Sequence, residues 1–219
     1  MSRIRDVKAS NEVPDDIVLQ LGNEGIEIII QTLWVAFSDL KKARIIRDDF
    51  TEDAITQEWA IRVSNRWYND NRASRVRINL TPVNQYSDDT MATNRRKSPT
   101  IDFCFRAWKL EDGYFGAECK NLYSEKMEKK KRYVEKGVKH FISGYYASKS
   151  TVSAMVGYVL SGDIPQTAHA LEKLILETKP ILGLTRDLKS VEPQFKSQHE
   201  RISDGKVILL YHLFFDFFN

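Results

Sequence analysis

The sequence predicts an α/β fold, and three observations carry the prediction. Residues 101–122 read as two extended segments joined by a turn. Residues 51–69 and 124–148 repeat apolar side chains at helical spacing. Residues 206–218, KVILLYHLFFDFF, form a nearly continuous apolar run suited to a strand covered on both faces.

Composition bounds the rest. A chain of 219 residues suits one domain, or one domain with an added subdomain. A net charge of +3 is compatible with a nucleic-acid partner but does not require one. The two cysteines, Cys104 and Cys119, fall on the two extended segments and read as core thiols. Without a disulfide framework or a CxxC pattern, they imply a reducing, cytoplasmic setting. The first residues, MSRIRDVKASNEVPDD, have no apolar signal core, and no run of about 18 apolar residues suggests a membrane span. GxxxxGK[ST], GxGxxG and zinc-ligand patterns are missing, which argues against nucleotide hydrolysis by this chain. No serine-histidine-aspartate order supports nucleophilic catalysis.

In chain order, residues 1–14 are polar. Residues 15–42 are apolar and divided by Gly22 and Gly25. After Gly25 the spacing of Ile26, Ile29, Ile30, Leu33, Trp34 and Phe37 is that of one helix face, with a strand over 26–30 as the competing reading. Residues 51–69 form a helix with Thr51 as N-cap and a stripe of Ile55, Trp59, Val63 and Trp67. At about 100° per residue, Glu52 falls on the side of that stripe and Glu58 off it. Residues 75–82, RVRINLTP, alternate as a strand, and residues 84–98 read as a polar loop. A long helix is expected over 124–148, with Met127, Val134, Val138, Phe141 and Tyr145 on its apolar face. Lys126, Lys129, Arg132, Lys136 and Lys139 lie on the opposite face, as a nucleic-acid footprint or as a salt-bridged solvent face. Residues 152–160 read as a buried strand and residues 164–178 as a helix with Pro165 in its first turn. Residues 179–205 read as a linker in which Ser197, His199 and Arg201 have strand spacing and are placed to contact phosphates.

The hairpin concentrates the chemistry. On its second segment, Phe115, Ala117 and Cys119 share one face, while Glu118 and Lys120 share the other, about 7 Å apart along the strand. On the first segment Asp102 opposes Ile101, Phe103 and Phe105. Two carboxylates and a lysine therefore converge at the end of a hairpin. Half-buried charges are costly unless paired or bound to metal. Carboxylates that hold a divalent cation, beside a lysine that steadies negative charge, are the parts of metal-assisted phosphodiester hydrolysis.

Pro99-Thr100-Ile101-Asp102 followed by Glu118-Cys119-Lys120 resembles the motif of the PD-(D/E)XK nuclease superfamily. The acids stand sixteen residues apart, a spacing that a hairpin spans. The match departs from the pattern in one respect: Pro99 and Asp102 are separated by two residues. The resemblance implies a restriction-endonuclease-like core over residues 51–219, with a mixed central sheet flanked by helices. It leaves residues 1–50 as a helical addition packing on the core or on a partner. It implies a nuclease in which Asp102, Glu118 and the Cys119 carbonyl hold Mg²⁺ or Mn²⁺ and Lys120 orients or activates the attacking water. Hard oxygen donors favour those ions over zinc. Glu52 is read either as a further ligand or as an acid favouring a helix start. Arg95, Arg96, Lys97 and Lys126 are expected to hold a nucleic-acid backbone, DNA first and RNA second. The setting implied is anti-phage defence or restriction, beside an ATPase, helicase or sensor subunit. A catalytically silent binding or assembly subunit is the competing class.

Overall fold

The computed structural model describes residues 17–47, 49–73, 79–87, 98–107, 113–186 and 192–217. Two long helices come first, α1 (Ile17–Ala43) and α2 (Glu52–Ala73), followed by β1 (Thr81–Ser87), β2 (Thr100–Arg106) and β3 (Tyr114–Tyr123). Next come α3 (Met127–Tyr133), a π turn over Val134–Val138 and α4 (Lys139–Ile142). The chain continues through β4 (Val152–Ser161), α5 (Ile164–Leu176), β5 (Ile181–Arg186), β6 (Gln194–Glu200) and β7 (Val207–Asp216).

The seven strands form one mixed sheet in the order β1-β2-β3-β4-β7-β6-β5. β3, β4 and β7 are parallel neighbours, and the outer pairs are antiparallel. The central strands are apolar on both sides because helices cover both. On one face Phe115, Ala117, Val156, Leu213 and Phe215 pack under α1 and α2. On the other, Leu122, Met155, Leu210 and Phe214 pack under α3, the π turn, α4 and α5. Pro82 sits on the edge strand β1, where a missing N–H is tolerated.

The α2 stripe is buried as expected, and Thr51 caps the helix by accepting the Ala54 N–H at 3.2 Å. α1 is a helix throughout, broken only at Gly22, whose φ of 63° lies outside the helical region. It joins the same apolar cluster as α2. Phe37 stacks on Phe215 with ring centres 4.4 Å apart, and the Trp59 Nε1–H donates to the Leu33 carbonyl at 3.2 Å. Cys104 and Cys119 are buried and not joined in a disulfide. No helix among the described residues is long and apolar enough to cross a membrane.

Four expectations are corrected. Asn84–Ser87 belong to β1, whereas Val76 and Ile78 lie outside the described residues. The helix after Lys120 ends at Ile142, because Gly144 turns the chain with φ 75°, which leaves Tyr145 exposed; Met127, the first residue of α3, is exposed as well, and neither joins the apolar face. Residues 179–205 hold two strands, β5 and β6. Ser197, His199 and Arg201 are buried in the sheet, out of reach of a phosphate backbone.

Hydrogen bonds satisfy those buried polar groups apart from His199 Nδ1, which has no partner. Ser197 Oγ bridges His212 Nε2 at 2.8 Å and His199 Nε2 at 2.9 Å, and His212 Nδ1 meets the Tyr133 hydroxyl at 2.9 Å. Arg201 donates to both carboxylate oxygens of Asp204 and to the carbonyls of Ala147 and Ser150. Burial pushes His199 down to about 4 and holds His212 well below its ordinary value, the latter also by its histidine neighbour. Between pH of about 6.5 and about 4 the unfolded chain therefore binds protons that the native state refuses. The stabilisation is full above that window and is lost as pH falls through it. Glu118, held up at about 8, works in the opposite sense over this range, so the histidine effect is read as a difference in thermal melting: from about pH 7 to about pH 4.5 the wild type should lose on the order of 2 kcal/mol, roughly 5 °C, relative to His199→Gln. His199→Gln should flatten the slope; equal slopes in the two proteins would count against the role given to His199.

Candidate active site

The site arises where the β2–β3 ladder stops. The two strands pair from Arg106↔Tyr114 to Phe103↔Ala117 and no further. β2 turns over at Asp102: Phe103 and Phe105 pack with α2, but Ile101 packs with the α3 side, which corrects the expectation that the three share a face. Gln85, beside it on β1, has φ 51° and is skipped in the β1–β2 register. Beyond Ala117, the β3 edge still presents the N–H groups of Cys119 and Asn121. Buried donors of this kind need acceptors.

Carboxylates take the place of the missing strand. Asp102 Oδ2 accepts the Cys119 N–H at 2.7 Å, and Glu52 Oε2, from the first turn of α2, accepts the Asn121 N–H at 2.8 Å. Lys120 then brings its ammonium to the same edge. Its Nζ lies 2.7 Å from Glu118 Oε1, 2.6 Å from the Cys119 carbonyl, 3.1 Å from Glu52 Oε1 and 4.0 Å from Asp102 Oδ2. Glu118 and Lys120 are only 4% and 5% exposed. On the α3 side, Gly137 of the π turn lets the helix lie close to Glu118 and Met155. The Tyr146 hydroxyl donates to Glu118 Oε1 at 3.5 Å.

The electrostatics follow from burial and from the count of charges. Burial, then the nearby Asp102, push Glu118 up to about 8 against the pull of Lys120. Burial also raises Asp102, opposed by Lys120 and the Cys119 N–H. For Lys120, burial works against the charge, but Glu118, Asp102 and Glu52 outweigh it and hold the ammonium firmly protonated. Glu118 Oε2 is buried with no hydrogen-bond partner.

The structure thus brings together Asp102, Glu118, Lys120, the Cys119 carbonyl and Glu52. Lys126 does not reach them: it is exposed, with its ammonium 4.0 Å above the Tyr123 ring. Arg95, Arg96 and Lys97, with the hairpin residues Glu111 and Asp112, lie outside the described residues. Tyr133 is fully buried against His212. Tyr146 and His140 were not singled out by the sequence, because a helix continued to Ser148 hides the turn that delivers Tyr146 to Glu118. The signal was Gly144, two residues before it.

The donor set suits a hard divalent cation, being carboxylate and carbonyl oxygen, one of them unpaired. As arranged, the described residues hold no group of three or more histidine, cysteine or acidic side chains that ligates a metal. The oxygens surround Lys120 Nζ instead. Comparisons with protein-family models, curated proteins and solved structures give no match.

Glu52 should matter more than its place in a first helical turn suggests. Glu52→Ala removes acceptors from Asn121 and Lys120 and should cost about 1–3 kcal/mol. Glu58→Ala loses only a surface pair with Arg62 and should stay within about 0.5 kcal/mol. Chemical denaturation of both variants checks this, and equal losses would remove Glu52 from the site.

Proposed function

We propose that the chain is a metal-dependent nuclease of the PD-(D/E)XK type, with DNA as the first substrate to test. One observation carries the reading: Asp102, Glu118, the Cys119 carbonyl and Glu52, drawn from two strands and a helix, converge on one buried cation at an opened sheet edge. An ion pair kept for stability needs one carboxylate per lysine; this site has three, and an apolar replacement would often be as stable. The excess negative charge and the unpaired Glu118 oxygen support occupancy by a second, divalent cation.

Asp102, Glu118 and the Cys119 carbonyl would hold Mg²⁺ or Mn²⁺, with Glu52 at the rim. A bound divalent ion supplies charge neutralisation at the phosphate and lowers the pKa of a water ligand. Lys120, held protonated, serves as a fixed positive donor that positions a water or a phosphate oxygen, rather than as a proton acceptor. Asp102 and Glu52 keep the edge open by satisfying the N–H groups that another strand would otherwise take. The sequence carries no phosphate-binding loop, so an energy-driven step in a defence or restriction setting would belong to a partner subunit.

Cleavage of supercoiled plasmid, linear duplex and single-stranded DNA, each with Mg²⁺, Mn²⁺ or EDTA, tests the assignment. Wild-type protein should cut only with metal, and Glu118→Ala and Lys120→Ala should each lose about 100-fold or more. Metal-dependent cutting retained by Glu118→Ala would sink the assignment. Metal binding gives an independent readout. Lys120→Met removes the competing ammonium and should tighten Mn²⁺ binding about tenfold while abolishing cleavage. Glu118→Ala should lose the Mn²⁺-induced rise in melting temperature. No Mn²⁺ effect on either protein would favour the binding or assembly subunit.

A further inference from the structure

We propose that His140, Tyr145 and Tyr146 form a stacking platform for an unpaired nucleobase beside the carboxylates, so that the substrate is single-stranded or locally unpaired nucleic acid. The proposal rests on the nuclease reading above and narrows it to a substrate class.

The three rings form one cluster. His140 lies 4.8 Å from Tyr145 and 5.0 Å from Tyr146, and the two tyrosine rings are 5.3 Å apart. Its inner member touches the site through the contact between the Tyr146 hydroxyl and Glu118. Its outer member, Tyr145, is 43% exposed. The backbone fixes this arrangement. Gly144, at φ 75°, ends the helical run, and a Cβ there would lie 2.4 Å from Ser203 Oγ. The Tyr146 N–H returns to the His140 carbonyl at 3.1 Å, which holds both tyrosines at the turn. The cluster therefore runs from a buried carboxylate to a solvent-facing ring.

Charge complements the rings. Burial, then Lys136 and Lys120, lower the proton affinity of His140. This keeps the imidazole neutral and places both ammoniums within electrostatic reach of the platform. Lys136 is exposed and one helical turn from His140. A neutral aromatic surface flanked by cations accepts a base face and its phosphate, and it does so without regard to base identity. Bases in an intact duplex have their faces covered by their neighbours, so only an unpaired nucleotide can use the ring of Tyr145.

The test is fluorescence anisotropy in EDTA with the full chain, using labelled oligothymidylate of about 20 nucleotides and a duplex of the same length. Wild-type protein should bind the single strand about tenfold more tightly than the duplex. Tyr145→Ala should lose about tenfold on the single strand alone, and Tyr145→Trp should keep it. Equal affinity for both probes, unchanged binding by Tyr145→Ala, or an equal loss on both probes overturns the platform. Cleavage assays separate the two readings. Single-strand binding that depends on Tyr145, with no metal-dependent cutting, keeps the platform and removes the nuclease. Duplex-preferring cutting indifferent to Tyr145 does the reverse.

Discussion

The structure depends on one constraint: a sheet edge left open inside the molecule must have its backbone donors satisfied. The β2–β3 ladder stops at Ala117, and the next two N–H groups on that edge are taken by Asp102 and Glu52. Much of the architecture serves that substitution. β2 must turn over at Asp102, which the left-handed Gln85 on β1 accompanies. The first turn of α2 must lie over β3, and the stripe of Ile55, Trp59, Val63 and Trp67 anchors the helix there. Once carboxylates stand at the edge, a cation is required among them, and Lys120 is the one available from the same strand.

The other side of the sheet carries a second polar row on different terms. Glu118, Met155 and His212 are in register across β3, β4 and β7. His212 is neutral and bonded through both ring nitrogens, to Tyr133 and Ser197. Glu118 keeps one oxygen without a partner. One polar group is sealed by its neighbours while the other, two strands away, is incomplete. The incomplete one is the one next to the opened edge.

Much of the site was legible in the sequence because strand parity and helix angle are simple geometry. Parity put Glu118 and Lys120 together, and the 100° rotation turned Glu52 inward and left Glu58 on the surface. The errors share a cause. Periodicity reads polar residues as solvent-facing, so it gives no sign that Ser197, His199 and Arg201 are core or that residues 179–205 hold β5 and β6. Their burial depends on partners distant in sequence, such as Ala147, Ser150 and His212. Nor does periodicity see where a ladder stops. Ile101 was assigned the face of Phe103 because nothing local announces that β2 turns over at Asp102.

On the nuclease reading proposed above, the charge balance at the edge is what would separate a working centre from a structural ion pair. Three carboxylates, Glu118, Asp102 and Glu52, stand around the one protonated ammonium of Lys120, an excess of acid over base, and burial raises Glu118 and Asp102. Glu118 and Lys120 are buried while the side chains of Asp102 and Glu52 are 23% and 26% exposed, so solvent and salt relieve that excess only in part. It is relieved by a cation of higher charge, or by the approach of groups that draw Lys120 toward themselves, as the oxygens of a phosphate would. Under the proposed function, the same feature that makes the resting site costly would make it responsive to both components of a phosphodiester reaction. A neutral, fully paired edge would be more stable and would respond to neither.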